Sequence, residues 1–254
     1  MTDGHLVDAA RRALACLDLT NLNDDCTTGD IAKLCARATT AHGSVAAICI
    51  YPRFVKWAKT RLTRSPVGVA TVVNFPAGGD DTAAVVAETE RAVKDGADEI
   101  DLVLPFRRMG DNPKLVEEQV VAVGAAAGED TLLKVILETG ELKEERLIRR
   151  AAEIAIRAGA NFIKTSTGKA AVNATPEAAR IMLSVIADYG GDVGFKAAGG
   201  IRTVADAAVY LDMADEMLGP DWAGPETFRF GASGLLDSIL ATLEGREAAA
   251  GSGY

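Results

Sequence analysis

Three lysines sit inside short apolar runs, a setting in which lysine is rarely left idle: Lys134 in LLKVIL, Lys164 in NFIKTS and Lys196 in VGFKAA. An ammonium is costly to desolvate, so each needs a partner or a task. Asp101 lies in another such run, EIDLVL; Asp18 and Thr20 close CLDLT, and Cys49 lies in VAAICI. A free lysine has a pKa of about 10.4, so only about one in a thousand is neutral near pH 7. Clustered cations and burial both lower that value. Bringing it to ~7 costs roughly 4 kcal/mol and leaves an amine able to attack a carbonyl. The chemistry this set suits is a Schiff base between one lysine and an aldehyde or ketone. Asp101 and a second lysine would then move protons through water. The competing interpretation is a buried ion-pair network without chemistry, and three lysines on successive strands near one end weigh against it. Spacing alone leaves open which lysine attacks.

The elements that must position these groups alternate along the chain. Short β-branched-rich runs recur at 15–19, 45–50, 68–73, 99–104, 132–137, 161–165, 193–196 and 227–231, separated by stretches of helical period such as 80–95 and 143–158. Thr27 and Thr203 each precede an Asp by three residues, and Thr175 precedes Pro176, all of which mark helix starts. DGADEI at 95–100 and AGANFI at 158–163 echo each other 63 residues apart. Eight strand–helix units in about 250 residues make a closed (β/α)8 TIM barrel. The expectation is one domain over residues 1–254, with an extra N-terminal helix and a flexible tail over about 247–254. An open doubly-wound sheet would carry a glycine-rich turn after its first strand, where this chain has DLTNLNDD. In a barrel, strand C-termini converge on one mouth, so the three lysines and two aspartates would face a common cavity.

Glycine clusters stand where a barrel builds its phosphate site: STGK at 166–169, AAGG at 197–200 and GASG at 231–234, the last opening the final helix. With 36 acidic against 27 basic residues and a net charge of −9, the chain is a poor partner for nucleic acid or an anionic membrane. A local anion site would reconcile that charge with an anionic substrate. No apolar run approaches the ~20 residues of a membrane span, and the N-terminus lacks a signal-peptide core. Four cysteines without a CxxC pair suggest reduced thiols and a cytoplasmic setting. His5 and His42 are placed in the N-terminal segment and at a helix end, away from strand ends, which disfavours a metal. A pyridoxal cofactor would need a partner for its ring nitrogen, and no residue stands out as one. Glu145/Arg149 and Glu153/Arg157 have the spacing of surface i,i+4 pairs.

These segments, taken in order, carry a resemblance. DLTNLNDD, AAICIYPRFV, ATVVNFPAG, GADEIDLVLP, LLKVILETGEL, FIKTSTGK, VNATPE, VGFKAAGGIRT and RFGASG closely resemble the deoxyribose-phosphate aldolases, over residues from about 14 to 245. That class I family cleaves 2-deoxy-D-ribose 5-phosphate reversibly to acetaldehyde and D-glyceraldehyde 3-phosphate, in deoxyribose phosphate catabolism, without metal or cofactor. The resemblance implies that Lys164 forms the imine, that Lys196 perturbs it and relays protons, and that Asp101 donates and accepts protons. It further implies substrate contacts from Asp18, Thr20, Cys49, Lys134, Thr165, Gly168, Lys169, Gly199, Gly200, Ser233 and Gly234, with Tyr254 as a visitor from the tail. The partners implied are a small phosphorylated sugar and acetaldehyde, and a homodimer is an assembly it allows. Two departures stand out: Ala197 where many relatives have Pro, and Gly234 where some have Ser. Two rivals remain on the same barrel, an epimerase or decarboxylase and a sugar-phosphate sensor.

Overall fold

Eight short strands, each followed by a helix that covers its outer face, close on themselves in the computed structural model, which describes residues 3–190 and 192–246. The strands of the barrel are β1 (Leu17–Asn21), β4 (Ala47–Ile50), β5 (Gly68–Val73), β6 (Glu99–Val103), β7 (Leu132–Ile136), β8 (Phe162–Lys164), β9 (Gly194–Ala198) and β10 (Phe228–Ala232). Every neighbouring pair is parallel, and β1 closes the ring between β10 and β4. The first strand lies about two residues later than the sequence run suggested, at 17–21. A two-stranded ribbon, β2 (Thr39–Thr40) with β3 (Gly43–Ser44), is added between the first two units. His42 sits in the turn of this ribbon, not at a helix end.

The helices are α1 (Asp3–Ala15), α2 (Thr28–Arg37), α3 (Val55–Arg61), α4 (Thr82–Lys94), α5 (Pro113–Ala127), α6 (Thr139–Leu142), α7 (Glu145–Arg157), α8 (Pro176–Asp188), α9 (Val204–Leu218) and α10 (Leu235–Leu243). The extra helix α1 packs against α9 and α10 through buried Ala9, Ala10, Ala13 and Leu14. Thr27 and Thr203 form full capping boxes with Asp30 and Asp206, and Thr175 caps α8 ahead of Pro176. The repeated DGA and AGA turns are equivalent: Gly96 (φ +98°) and Gly159 (φ +94°) follow α4 and α7 and turn the chain into β6 and β8, in a conformation glycine adopts without strain. The anticipated i,i+4 pairs on α7 do not form. Arg149 reaches instead to Asp188 and Ser184 of α8, and Arg157 to Glu117 of α5, because helix-to-helix partners lie closer to these long side chains.

Apolar packing divides into two parts. The larger lies between the barrel wall and the helices. A smaller cluster of Leu22, Ala47, Cys49, Ala70 and Val72 lies apart from it. Alternation along β6 gives the remaining interior its character: Ile100, Leu102 and their neighbours pack outward with the main core, while Glu99 and Asp101 belong to the opposite face.

Candidate active site

Ladder register brings the strand charges side by side. Asp101 pairs with Lys134 across β6–β7, Lys164 with Lys196 across β8–β9, and Lys196 with Arg229 across β9–β10. Asp101 is the hub. Its Oδ2 accepts from Lys164 Nζ at 2.7 Å and Lys196 Nζ at 2.8 Å, and its Oδ1 accepts from Lys134 Nζ at 3.1 Å. Lys196 also donates to Asp18 Oδ2 at 2.5 Å. Lys134 donates to Glu99 and lies 3.6 Å from Asp18. All of these side chains are buried, and Lys164 alone among the lysines keeps any exposure, at 3%.

The three lysines do not share one electrostatic fate. Burial, the strongest influence on each, favours the neutral amine. In Lys134 the carboxylates of Asp101, Glu99 and Asp18 outweigh it, and in Lys196 those of Asp101 and Asp18 do, so both hold their protons more firmly than free lysine. Lys164 has only its share of Asp101, with Lys196 opposing, and its ammonium is pushed down. The expectation that clustered lysines depress one another therefore holds for Lys164 alone. Burial would raise Asp101, but Lys134, Lys164 and Lys196 hold it well below the usual carboxylate range. Asp18 is likewise driven down by Lys196, Arg229 and Lys134 against the effect of burial.

Lys164 opens on a cavity at the C-terminal mouth of the barrel, also lined by Thr20, Leu22, Thr167, Gly168, Ala198, Gly199, Gly231, Ala232 and Ser233. Of the residues expected to meet substrate, Thr20, Gly168, Gly199 and Ser233 thus gather around Lys164. Gly231 leaves room for the neighbouring strand: a Cβ there would stand 3.0 Å from the Ala198 Cβ and 3.2 Å from the Lys196 Cε. Gly168 and Gly199 hold φ of +84° and +83°, and a Cβ on Gly199 would collide with Asn173.

Other expected contacts lie elsewhere. Thr165 bridges strands, its hydroxyl accepting from the Ala198 N–H at 3.0 Å. Lys169 lies at the rim, 3.5 Å from Asp24. Gly200 follows Gly199 outside the cavity lining, and Gly234 is the N-cap of α10 without a side-chain cap, a place where Ser would have supplied one. Ala197, the other departure, is a buried β9 residue facing the main core. Lys134 and Asp18 lie among the buried charges and outside the cavity lining. Lys134, Lys196 and Asp101 are each the third of five residues in their strands, so they are mid-strand, and of the three lysines Lys164 alone ends its strand. Cys49 Sγ is 4.0 Å from Asp101 Oδ2, and burial together with that carboxylate pushes the thiol up, so it stays neutral. Tyr254 and the rest of residues 247–254 lie outside the described residues. His5 contacts Asp212 at 3.2 Å and His42 faces Glu244 at 3.9 Å, both remote from the lysines; among the described residues no group of His, Cys, Asp and Glu gathers to hold a metal.

Three further residues belong to the site and escaped the sequence analysis. Arg229 donates to Asp18 Oδ1 at 2.7 Å and to Glu99 at 3.0 and 3.2 Å. Both were visible as charges in apolar strands, Arg229 in TFRFG and Glu99 two residues from Asp101 on the same strand face. Glu138 gave no such signal. It follows β7 in a left-handed conformation (φ 55°), and its carboxylate accepts from the Thr167 hydroxyl at 2.6 Å and the Thr167 N–H at 3.3 Å. It thereby ties down the loop that lines the cavity beside Lys164.

Known proteins resemble this chain in sequence and fold. Residues 12–238 match the DeoC/LacD family of aldolases. The deoxyribose-phosphate aldolase of Agrobacterium fabrum is 58% identical over 250 residues, covering 97% of this chain and 96% of that one. A Coccidioides immitis crystal structure, provisionally assigned as a deoxyribose-phosphate aldolase, superposes with a TM-score of 0.81 at 32% identity, over 92% of this chain and 86% of that one. The deoxyribose phosphate aldolase of Aeropyrum pernix, described as a tetramer, shares the fold at 22% identity and a TM-score of 0.76, over 95% of this chain and 98% of that one.

Proposed function

This chain belongs to the DeoC/LacD family of aldolases, and from that premise we propose that it cleaves 2-deoxy-D-ribose 5-phosphate to acetaldehyde and D-glyceraldehyde 3-phosphate through an imine on Lys164. One observation carries the assignment of the nucleophile: Lys164 is the buried lysine that both opens on the cavity and has its ammonium pushed down.

The sequence of events follows from the charges. In the resting site Lys164 and Lys196 both donate to Asp101 Oδ2. A proton leaving Lys164 removes one of the three cations that hold Asp101 ionised, so Asp101 becomes a better base as the amine becomes a better nucleophile. Neutral Lys164 attacks C1 of the open-chain aldehyde, and loss of water gives the protonated imine, an electron sink. Asp101, with Lys196 beside it, takes the proton of the C3 hydroxyl through water, and the C2–C3 bond breaks. Glyceraldehyde 3-phosphate leaves. The enamine left on Lys164 is protonated at carbon by the same relay, and hydrolysis frees acetaldehyde. Lys196, held by two carboxylates, rests as a cation, keeps Asp101 oriented and takes part with it in the proton relay through water.

The substrate's phosphate is assigned to the glycine turns. Gly168, Gly199 and Ser233 surround the cavity, and α10 begins two residues after Ser233, behind its N-cap Gly234, so the N-terminal end of a helix lies next to the cavity. The reaction is assigned to the cytoplasm, which fits four unpaired thiols. A homodimer is an assembly the family resemblance allows, and a light-scattering mass of two chains would support it.

The decisive experiment is peptide mass spectrometry after incubation with acetaldehyde and borohydride. A reduced two-carbon adduct is expected on the peptide containing Lys164. An adduct on Lys196 would exchange the two lysine roles, and no adduct on folded, phosphosugar-binding protein would return the epimerase or sensor reading.

A further inference from the structure

Beneath the lysines lies a second layer of charge that the reaction itself does not use. Arg229 reaches in from β10, its Nε donating to the Pro225 carbonyl at 2.5 Å and its two terminal nitrogens to Asp18 and Glu99. Its guanidinium also lies 5.5 Å from the centre of the Phe162 ring. Counting the ionisable groups in direct contact, four cations (Lys134, Lys164, Lys196, Arg229) meet three carboxylates (Asp18, Glu99, Asp101). A buried set with surplus charge sheds it where shedding costs least.

Arginine cannot be that place, since guanidinium keeps its proton at any ordinary pH. Lys196 is held by two carboxylates and Lys134 by three. Lys164 has part of one. Were residue 229 uncharged, Asp18 and Glu99 would be released to the lysines, cations and carboxylates would balance at three each, and no group would have cause to lose a proton. We propose that Arg229 is a positioning residue for catalysis: a permanent cation that occupies Asp18 and Glu99, so that Lys164 is the group in the network that surrenders its proton.

The other groups facing Lys164 do not compete for this role. Asp101 faces it from β6, Lys196 from β9 and Cys49 from β4, the thiol being neutral. Glu138 faces it from the turn after β7, with its oxygens engaged by Thr167. Arg229 acts on the nucleophile through two chains of contacts that meet at Asp101: one through Asp18 and Lys196, at 2.7, 2.5, 2.8 and 2.7 Å, and one through Glu99 and Lys134.

This inference rests on Lys164 being the nucleophile, which wild-type trapping tests separately: an adduct elsewhere, or none, removes the reading beneath it. Given a Lys164 adduct, the rate of its formation with acetaldehyde and cyanoborohydride is followed against pH in three variants. Arg229→Met should move the midpoint of trapping upward by about one unit, lowering the rate at neutral pH and restoring it in alkali. Glu99→Gln, which removes a carboxylate and leaves the arginine, should move it downward. The double variant restores the surplus of one cation and should return the midpoint towards wild type. A role limited to holding the barrel together would lower stability and leave the midpoint in place. If Arg229→Met does not fold, Glu99→Gln decides alone. A midpoint unmoved or raised in Glu99→Gln, or unmoved in folded Arg229→Met, overturns the proposal.

Discussion

Lys164 and Lys196 share a single oxygen: both ammonium groups donate to Asp101 Oδ2, at 2.7 and 2.8 Å, from adjacent positions on neighbouring strands. Two chemically identical side chains so placed would ionise alike if nothing else differed. What differs is Asp18, which adds a second carboxylate to Lys196 and none to Lys164. That asymmetry, more than proximity, separates the attacking amine from its companion.

Lys164→Ala should abolish turnover, by at least ~10⁴-fold, while binding of the sugar phosphate persists in calorimetry. The variant also sheds the surplus cation from the network, so its thermal midpoint should not fall. Turnover within tenfold of the parent would end the imine assignment.

Asp101→Leu and Lys196→Leu should each lower kcat by at least ~10²-fold, the scale of a lost proton relay. Each also strands buried partners, and urea unfolding should register a loss of about 3 kcal/mol. A variant that loses stability and keeps its rate would leave the network structural.

Gly231→Ala tests the fit around Lys196. The added methyl would meet the Ala198 Cβ at 3.0 Å and the Lys196 Cε at 3.2 Å, with no displaceable side-chain end on the Ala198 side. We expect a folded protein destabilised by roughly 1–2 kcal/mol, with kcat reduced more than KM rises. Unchanged kinetics would show that Lys196 can shift freely.

Glu138→Gln weakens the acceptor that fixes Thr167. Thr167 lines the cavity without entering the proton relay, so the loss should appear in KM. A charge-assisted hydrogen bond of about 1.5 kcal/mol corresponds to roughly tenfold. Thr167→Val should match it, and the two together should add little. A fall in kcat alone would move Glu138 into the chemistry.

Acid should find the network before alkali does. Asp18 and Asp101 have folded-state values below those of the unfolded chain, so their contribution is complete above about pH 4 and is lost as pH falls towards the folded values. Lys134 and Lys196 are raised, so theirs is complete below about pH 10 and is lost only above it. Lys164 works in the opposite sense: burial lowers it, so its ammonium costs stability at lower pH, and between these limits the urea midpoint should rise gently with pH. A midpoint that keeps its neutral-pH value well below pH 4 would contradict the acid side.

Most of the architecture was legible because a parallel strand buried on both faces must be an apolar run, and eight of them in this length leave little choice but closure. Asp101, Lys164 and Lys196 were legible for the same reason: a charge in such a run is conspicuous. Arg229 is equally conspicuous as a charge in TFRFG, but nothing in that run tells a site residue from the charged end of a strand. The depth of Lys134 could not be foreseen, since the stagger between strands, which sets Lys134 beside Asp101 and Lys164 beside Ile136, is a property of the closed ring. Glu138 left no periodic trace, because a residue in a turn declares itself only through what it holds.

The pair between Arg229 and Asp18 joins residues 211 positions apart, on the last and first strands of the ring. Until those strands meet, a growing or half-folded barrel carries Asp18 without its arginine and Glu99 without its second donor. Each of those groups keeps its hydration and resists being enclosed. Partly closed intermediates are thereby penalised at the very place where a loose sheet edge would otherwise invite association. The ring has reason to close in one concerted late step, and the catalytic chemistry exists only once the chain's two ends have found each other.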